Sequence, residues 1–180
     1  MKKLMLTAVV ILFAMVANAQ DLFVGGSVGF WDNSDAKHTS IAITPEIGYN
    51  LSETWALGMQ IGYSYNKADE TKINTVGVAP YARYSYLTAG PVKLFLDGGF
   101  EFETLKVKGG DSYNAWNVGI QPGISIALNQ KFSLVAHFGF LGYQDVDDEI
   151  SPIYAELGQE KGWGLKMNGY NLSFGFYYNF

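Results

Sequence analysis

The chain has 180 residues, of which 48% are hydrophobic, 16% aromatic and only 16% charged, and it contains no cysteine. That length suits one domain, the wealth of aromatic residues excludes a disordered chain, and the missing Cys excludes both a disulfide scaffold and a cysteine-ligated metal site. A formal net charge of −5 argues against a nucleic-acid partner, because phosphate contacts need a basic surface.

In chain order, the first feature is an export leader. Lys2 and Lys3 form a positive start, Leu4 to Val16 is an apolar run, and Ala17-Asn18-Ala19 has the small-x-small pattern that signal peptidase reads. A membrane-spanning helix needs ~20 apolar residues, and this run is shorter. The expected organisation is a signal peptide over 1–19 and a mature domain over 20–180. The mature chain would begin at Gln20, with 161 residues and a net charge of −7 once the two leader lysines are gone. With no Cys after the cleavage site, a lipoprotein anchor is excluded.

The mature chain then repeats one pattern, the period-two alternation of β-strands. Weaker runs span Leu22 to Trp31, Ile73 to Leu87, Val92 to Leu105 and Lys131 to Tyr143. Clear runs span Ile41 to Tyr49, Trp55 to Tyr65, Trp116 to Leu128 and Tyr170 to Phe180. That makes eight strands. One face of each is aliphatic and aromatic; the other is mainly Gly, Ala, Ser, Asn and Gln. Small residues fit the crowded interior of an eight-stranded barrel, so the apolar face must look at lipid. Strands of this length cross a tilted bilayer path, and closure satisfies every backbone group in hydrocarbon. A soluble periplasmic barrel carrying a lipid-like ligand is the rival fold reading.

Connections alternate in length. Asn50 to Thr54, Thr88 to Pro91 and Asn129 to Lys131 are short, as periplasmic turns are. Asp32 to His38, Asn66 to Lys72, Lys106 to Asn114 and Gln144 to about Lys166 read as longer outer loops. Aromatic girdles are expected at both rims. Tyr49, Trp55, Tyr84, Tyr86, Phe132, Tyr178 and Phe180 fall at the periplasmic side. Phe30, Tyr63, Tyr65, Trp116, Phe140 and Tyr170 fall at the outer side. The fold expectation is therefore all-β: an eight-stranded antiparallel up-and-down transmembrane β-barrel in an outer membrane.

The last strand carries the most specific local motif: Tyr170, Leu172, Phe174, Phe176, Tyr178 and a terminal Phe180 at alternate positions. With it, the mature chain resembles small outer-membrane β-barrels of the OmpA transmembrane-domain/OmpX-like class. The resemblance implies that this strand is the signal read by the barrel-assembly machinery, and that outer-membrane lipid and lipopolysaccharide are its surroundings. Unlike full-length OmpA-type proteins, no peptidoglycan-binding domain is expected after the barrel.

Candidate chemistry is sparse. Glu46, Arg83, Lys93, Asp97, Glu101 and Glu103 should face the lumen, with Glu46, Gln60, Arg83 and Asp97 at similar height. Charges in low dielectric have to pair, so Glu46, Arg83 and Asp97 are expected to form an ion-pair layer that fills the lumen; a gate or proton path is the competing reading. His137 should be a satisfied interior group. His38, in the first outer loop, could serve as the base of a lipid A-modifying enzyme with Ser and an acid. No alignable motif or amphipathic helix before the barrel supports that, so no catalytic residue and no cofactor are expected. Loop four carries Asp145, Asp147, Asp148, Glu149, Glu156 and Glu160. Its acids could hold a divalent cation but lack the spacing of an EF-hand loop, so they read as solvating charge and no metal is expected. Apolar residues in the same loop, Tyr154 among them, can mark a contact surface. Asp145, Asp147, Asp148, Glu149 and Tyr154 are thus the candidate interaction residues, for a surface ligand the sequence does not identify. The functional expectation is a structural or surface-interaction barrel that is not a general porin.

Overall fold

The structure is a computed structural model, and it describes residues 21–33, 38–68, 71–149, 161–167 and 173–180. Among these residues, ten strand segments make eight staves. The first six are β1 (Leu22–Asn33), β2 (His38–Asn50), β3 (Trp55–Ala68), β4 (Thr71–Ala89), β5 (Val92–Val107) and β6 (Ser112–Ala127). The seventh stave is β7 (Phe132–His137) followed by β8 (Phe140–Val146), and the eighth is β9 (Gly162–Lys166) followed by β10 (Ser173–Asn179). All neighbours are antiparallel, and pairing of β5 with β6 and of β1 with β10 closes the ring. An eight-stranded up-and-down barrel results.

Alternation sets the faces as the composition requires. Val28, Ile43, Leu57, Ile61, Val76, Phe102, Val118, Phe174 and Phe176 stand exposed on the outside. Inside lie buried polar groups, including Glu46, Arg83, Asp97 and His137. A soluble carrier would reverse this arrangement. At the periplasmic rim Trp55 packs on Tyr84, and Tyr178 on both Phe132 and Phe180. At the outer rim Trp116 packs between Phe100 and Tyr143.

Three expectations are corrected. First, the seventh stave is not one regular strand. His137 faces Gly123 and Leu141 faces Ile120, so three residues of one strand oppose two of the other. Gly139, at φ +74°, takes up the extra residue as a β-bulge. The phase changes there, and Phe140 turns inward to line a lumen cavity instead of joining the outer girdle.

Second, the ladder runs further outward than polarity suggests. Most of Asn66 to Lys72 is strand, since β3 reaches Ala68 and β4 starts at Thr71. Backbone pairing needs no apolar side chains once the chain has left lipid. Where strands emerge, inward-facing Ile73, Leu105, Ala115 and Val146 form a buried apolar cluster.

Third, the fourth loop is shorter at both ends: β8 continues to Val146 and β9 begins at Gly162. Asp145 is therefore a strand residue. Residues 1–20, which include the expected leader, and Tyr154, Tyr170 and Leu172 lie outside the described residues.

Candidate functional site: a charged bolt across the lumen

The lumen is crossed by one buried cluster. Its register origin is simple: Glu46 of β2 stands opposite Gln60 of β3, and Arg83 of β4 opposite Asp97 of β5. All four point inward because they share the small-residue parity. Arg83 grips Asp97 with two bonds, Nε to Oδ1 and Nη2 to Oδ2, both 2.7 Å. This two-pronged geometry is what a planar guanidinium offers and an ammonium does not. The same Nη2 reaches Glu46 Oε1 at 3.5 Å. His137 of β7 adds a contact from Nε2 to Asp97 Oδ2 at 2.9 Å.

Two tyrosines complete the cluster. Tyr177 of β10 donates to Glu46 Oε1 at 2.6 Å and accepts from Arg83 Nη2 at 3.0 Å. Tyr81 of β4 also donates to Glu46 Oε1, and Gln60 Nε2 donates to Oε2 at 3.0 Å. The Arg83 guanidinium lies 4.0 Å from the Phe95 ring centre, with Tyr81, Tyr177 and Phe23 at 5.1, 5.2 and 5.7 Å. It is thus both ion-paired and enclosed by aromatic faces. Glu46, Arg83, Asp97 and His137 are each only 6–7% exposed. Among the described residues, no buried side-chain N or O atom lacks a partner.

Space for these rings comes from glycine. Phe23 stands opposite Gly48, Tyr81 opposite Gly58, Phe95 opposite Gly123 and Tyr177 opposite Gly25. A Cβ at any of the four glycines would overlap the facing ring. Each large lumen side chain therefore lies over a bare stretch of neighbouring backbone, the arrangement known from glycine–aromatic pairs in sheets. Parity in the sequence marks Glu46, Gln60, Arg83, Asp97 and His137 as lumen groups but does not mark Tyr81, Tyr177, Phe23 and Phe95. Their signal is a glycine at the register position directly across.

The cluster divides the interior. Outside it, two adjoining cavities of about 270 and 300 Å³ share Gln60, Ala79, Glu101, Glu103 and Gln121 in their walls. Glu101 accepts from Asn117 Nδ2 at 2.6 Å. On the periplasmic side a cavity of about 310 Å³ is bounded by Arg83, Phe23, Phe95 and Tyr177, and it includes Lys93. Lys93 thus stays apart from the bolt.

The loop-four candidates divide. Asp145, on β8, pairs with Lys161 at 2.9 Å, and Asp148 does so at 3.4 Å. The Asp145 carboxylate, hydrogen-bonded to Lys161, holds that ammonium above the usual lysine range, with Asp148 adding to it. Asp147 accepts from the Asn114 amide at 2.8 Å and ties loop four to β6. Glu149 is exposed. His38 opens β2, and its side chain is outside the described residues. In the C-terminal motif, Phe174 and Phe176 face outward at 66% and 61% exposure, and Tyr178 and Phe180 close the periplasmic girdle.

The family model for the outer membrane protein beta-barrel domain matches residues 5–180. The N-terminal β-barrel domain of Pseudomonas aeruginosa OprF is similar in structure, with a TM-score of 0.54 at 15% identity over 89% of this chain and 98% of that one. Neisserial surface protein A gives 0.52 at 18% identity over 88% and 96%. At these identities the likeness is one of fold. No curated protein sequence matches.

Proposed function

For a chain that belongs to the outer membrane protein beta-barrel domain family, and so resides in the outer membrane, we propose a role as a closed barrel that acts through its outer surface. It is neither a general porin nor an enzyme in this reading. The observation that carries the proposal is the Arg83 cluster, in which Glu46, Asp97, His137, Tyr81 and Tyr177 converge from five strands. Eight strands enclose little more than their own side chains, and here the midsection is filled by mutually satisfied groups. In this reading a hydrated ion could cross only by displacing the buried pairs. Function then falls to the outer strand ends and to the connection after Val146. The C-terminal strand, in the same proposal, is the segment read by the assembly machinery, and residues 1–19 are the leader removed on export.

Conductance tests it. In planar bilayers the protein should give no steady open-channel current. Reproducible ion-selective steps that change in Arg83→Ala would overturn the closed reading and make the cluster a gate.

A further inference from the structure

Four of the eleven lysines gather at the outer ends of three neighbouring strands. Lys67 on β3 is the direct cross-strand partner of Lys72 on β4. The β4–β5 register continues through the bond from the Lys108 amide to the Lys72 carbonyl at 2.9 Å, which sets Lys108 opposite Lys72. Lys67, Lys72 and Lys108 thus form one rank across the sheet. Lys106 stands one step below, opposite Asn74. By parity with outward Tyr63, Val76 and Phe102, all four share the outer face; Lys67, Lys106 and Lys108 are exposed and Lys72 half-buried.

Such a rank is costly by itself, because like charges directly opposite in a sheet repel. Among the described residues no carboxylate lies within ion-pair distance of any of the four. What stands beneath the rank says what could offset the repulsion. Tyr65, Asn74 and Lys106 make the next row, with Tyr63 donating to Asn74 Oδ1 at 3.0 Å. Below come Tyr63, Val76 and Thr104, then Ile61, Val78, Phe102 and Trp116. The face therefore grades from ammonium groups through amide and phenol to bare hydrocarbon. That order matches the phosphates, interface and acyl chains of a lipid leaflet.

We propose that Lys67, Lys72, Lys106 and Lys108 form a binding site for the phosphate groups of a phosphorylated glycolipid in the outer leaflet, whose acyl chains lie on the Val76–Val78–Phe102 face. A lipid is favoured over a free anion because apolar and cationic contacts share one strip of the barrel wall.

The test titrates the full-length protein, purified in detergent, with diphosphorylated lipid A in mixed micelles, and counts bound lipid by native mass spectrometry. A Lys67→Gln/Lys72→Gln/Lys108→Gln variant should bind about a hundredfold more weakly, at about fivefold per lysine. Lys131→Gln at the opposite rim should bind as the parent does. Fully dephosphorylated lipid A should bind the parent no better than it binds the triple variant. Equal binding by parent and triple variant, or undiminished binding of the dephosphorylated lipid, overturns the proposal. Displacement by inorganic phosphate at matched ionic strength would reassign the site to a free anion. Heat-shifted gel mobility reports folding; should the triple variant fail it, Lys72→Gln alone must still lose about fivefold. Asp69 and Glu70, between the first two lysines and outside the described residues, supply a last arm. Asp69→Asn/Glu70→Gln should tighten binding, and a loss there would replace direct lysine contact by a cation bridge.

Discussion

At the scale of single residues, Arg83 is the group on which the lumen depends. Removing one partner of a buried ion pair leaves uncompensated charge and costs roughly 3–5 kcal/mol. Here two carboxylates, Glu46 and Asp97, would lose the guanidinium they share. Arg83→Ala should therefore lower the unfolding free energy, read from a urea titration of detergent-solubilised protein, by an amount in that range. Arg83→Lys restores charge without the two-pronged bond and should fall between. An Arg83→Ala variant as stable as the parent would show that the cluster is not structural. The glycines make a second, independent case. Gly48→Ala drives a Cβ into the Phe23 ring, an overpacking worth about 1–3 kcal/mol. In combination with Phe23→Ala that cost should largely vanish, a non-additivity that a double-mutant cycle measures. Parity alone picks out Glu46, Arg83, Asp97 and His137 from the sequence, since charged residues on a small-residue face have few alternatives. Tyr177 escapes because a large residue on that face looks like a break in pattern. Only the register, which pairs it with Gly25, turns it into part of the core.

At the scale of elements, the seventh stave separates what alternation can reveal from what it cannot. Phe132, Leu134, Ala136 and Phe138 share one face, whereas Leu141 and Tyr143 continue it at odd positions. The break in period two marks a bulge, but sequence does not say which residue is surplus. In the structure it is Gly139, whose positive φ suits glycine. Deleting Gly139 would join two segments whose faces then stay in phase, giving a regular ladder. The deletion variant should fold and keep its heat-shifted gel mobility. Deleting Ala136, inside the regular part, would turn His137 outward and Phe138 inward, removing the histidine from the cluster, and should abolish the folded form. Gly139→Val should fold but lose about 1–3 kcal/mol, the usual cost of a strained backbone. The opposite outcome for the two deletions would refute the assigned bulge. Loop boundaries were less legible for a physical reason: outside the membrane, strands no longer need apolar residues. Lys67 and Lys72 look like loop residues and are cross-strand partners.

At the scale of the whole molecule, the described ties between the barrel and the two ends of its fourth outer connection are few. The ring is closed by β1–β10 pairing at Phe23 to Ser27, on the periplasmic half. Loop four is tied back by Asp147 to β6 and by the pairs of exposed Lys161 with half-buried Asp145 and exposed Asp148, and pairs reached by solvent contribute little stability. Removing residues 149–160 should therefore leave heat-shifted mobility and urea midpoint unchanged. If recognition resides in that connection, as the apolar and acidic residues there suggest, the same deletion should abolish any surface-interaction phenotype in cells lacking the native protein. A lipid A-modifying enzyme predicts a different pattern, because its chemistry would need His38 rather than loop four. Lipid A mass spectra should be identical in the parent, in a strain lacking the protein and in His38→Ala. An acyl chain gained or lost in either altered strain would replace the interaction reading with catalysis.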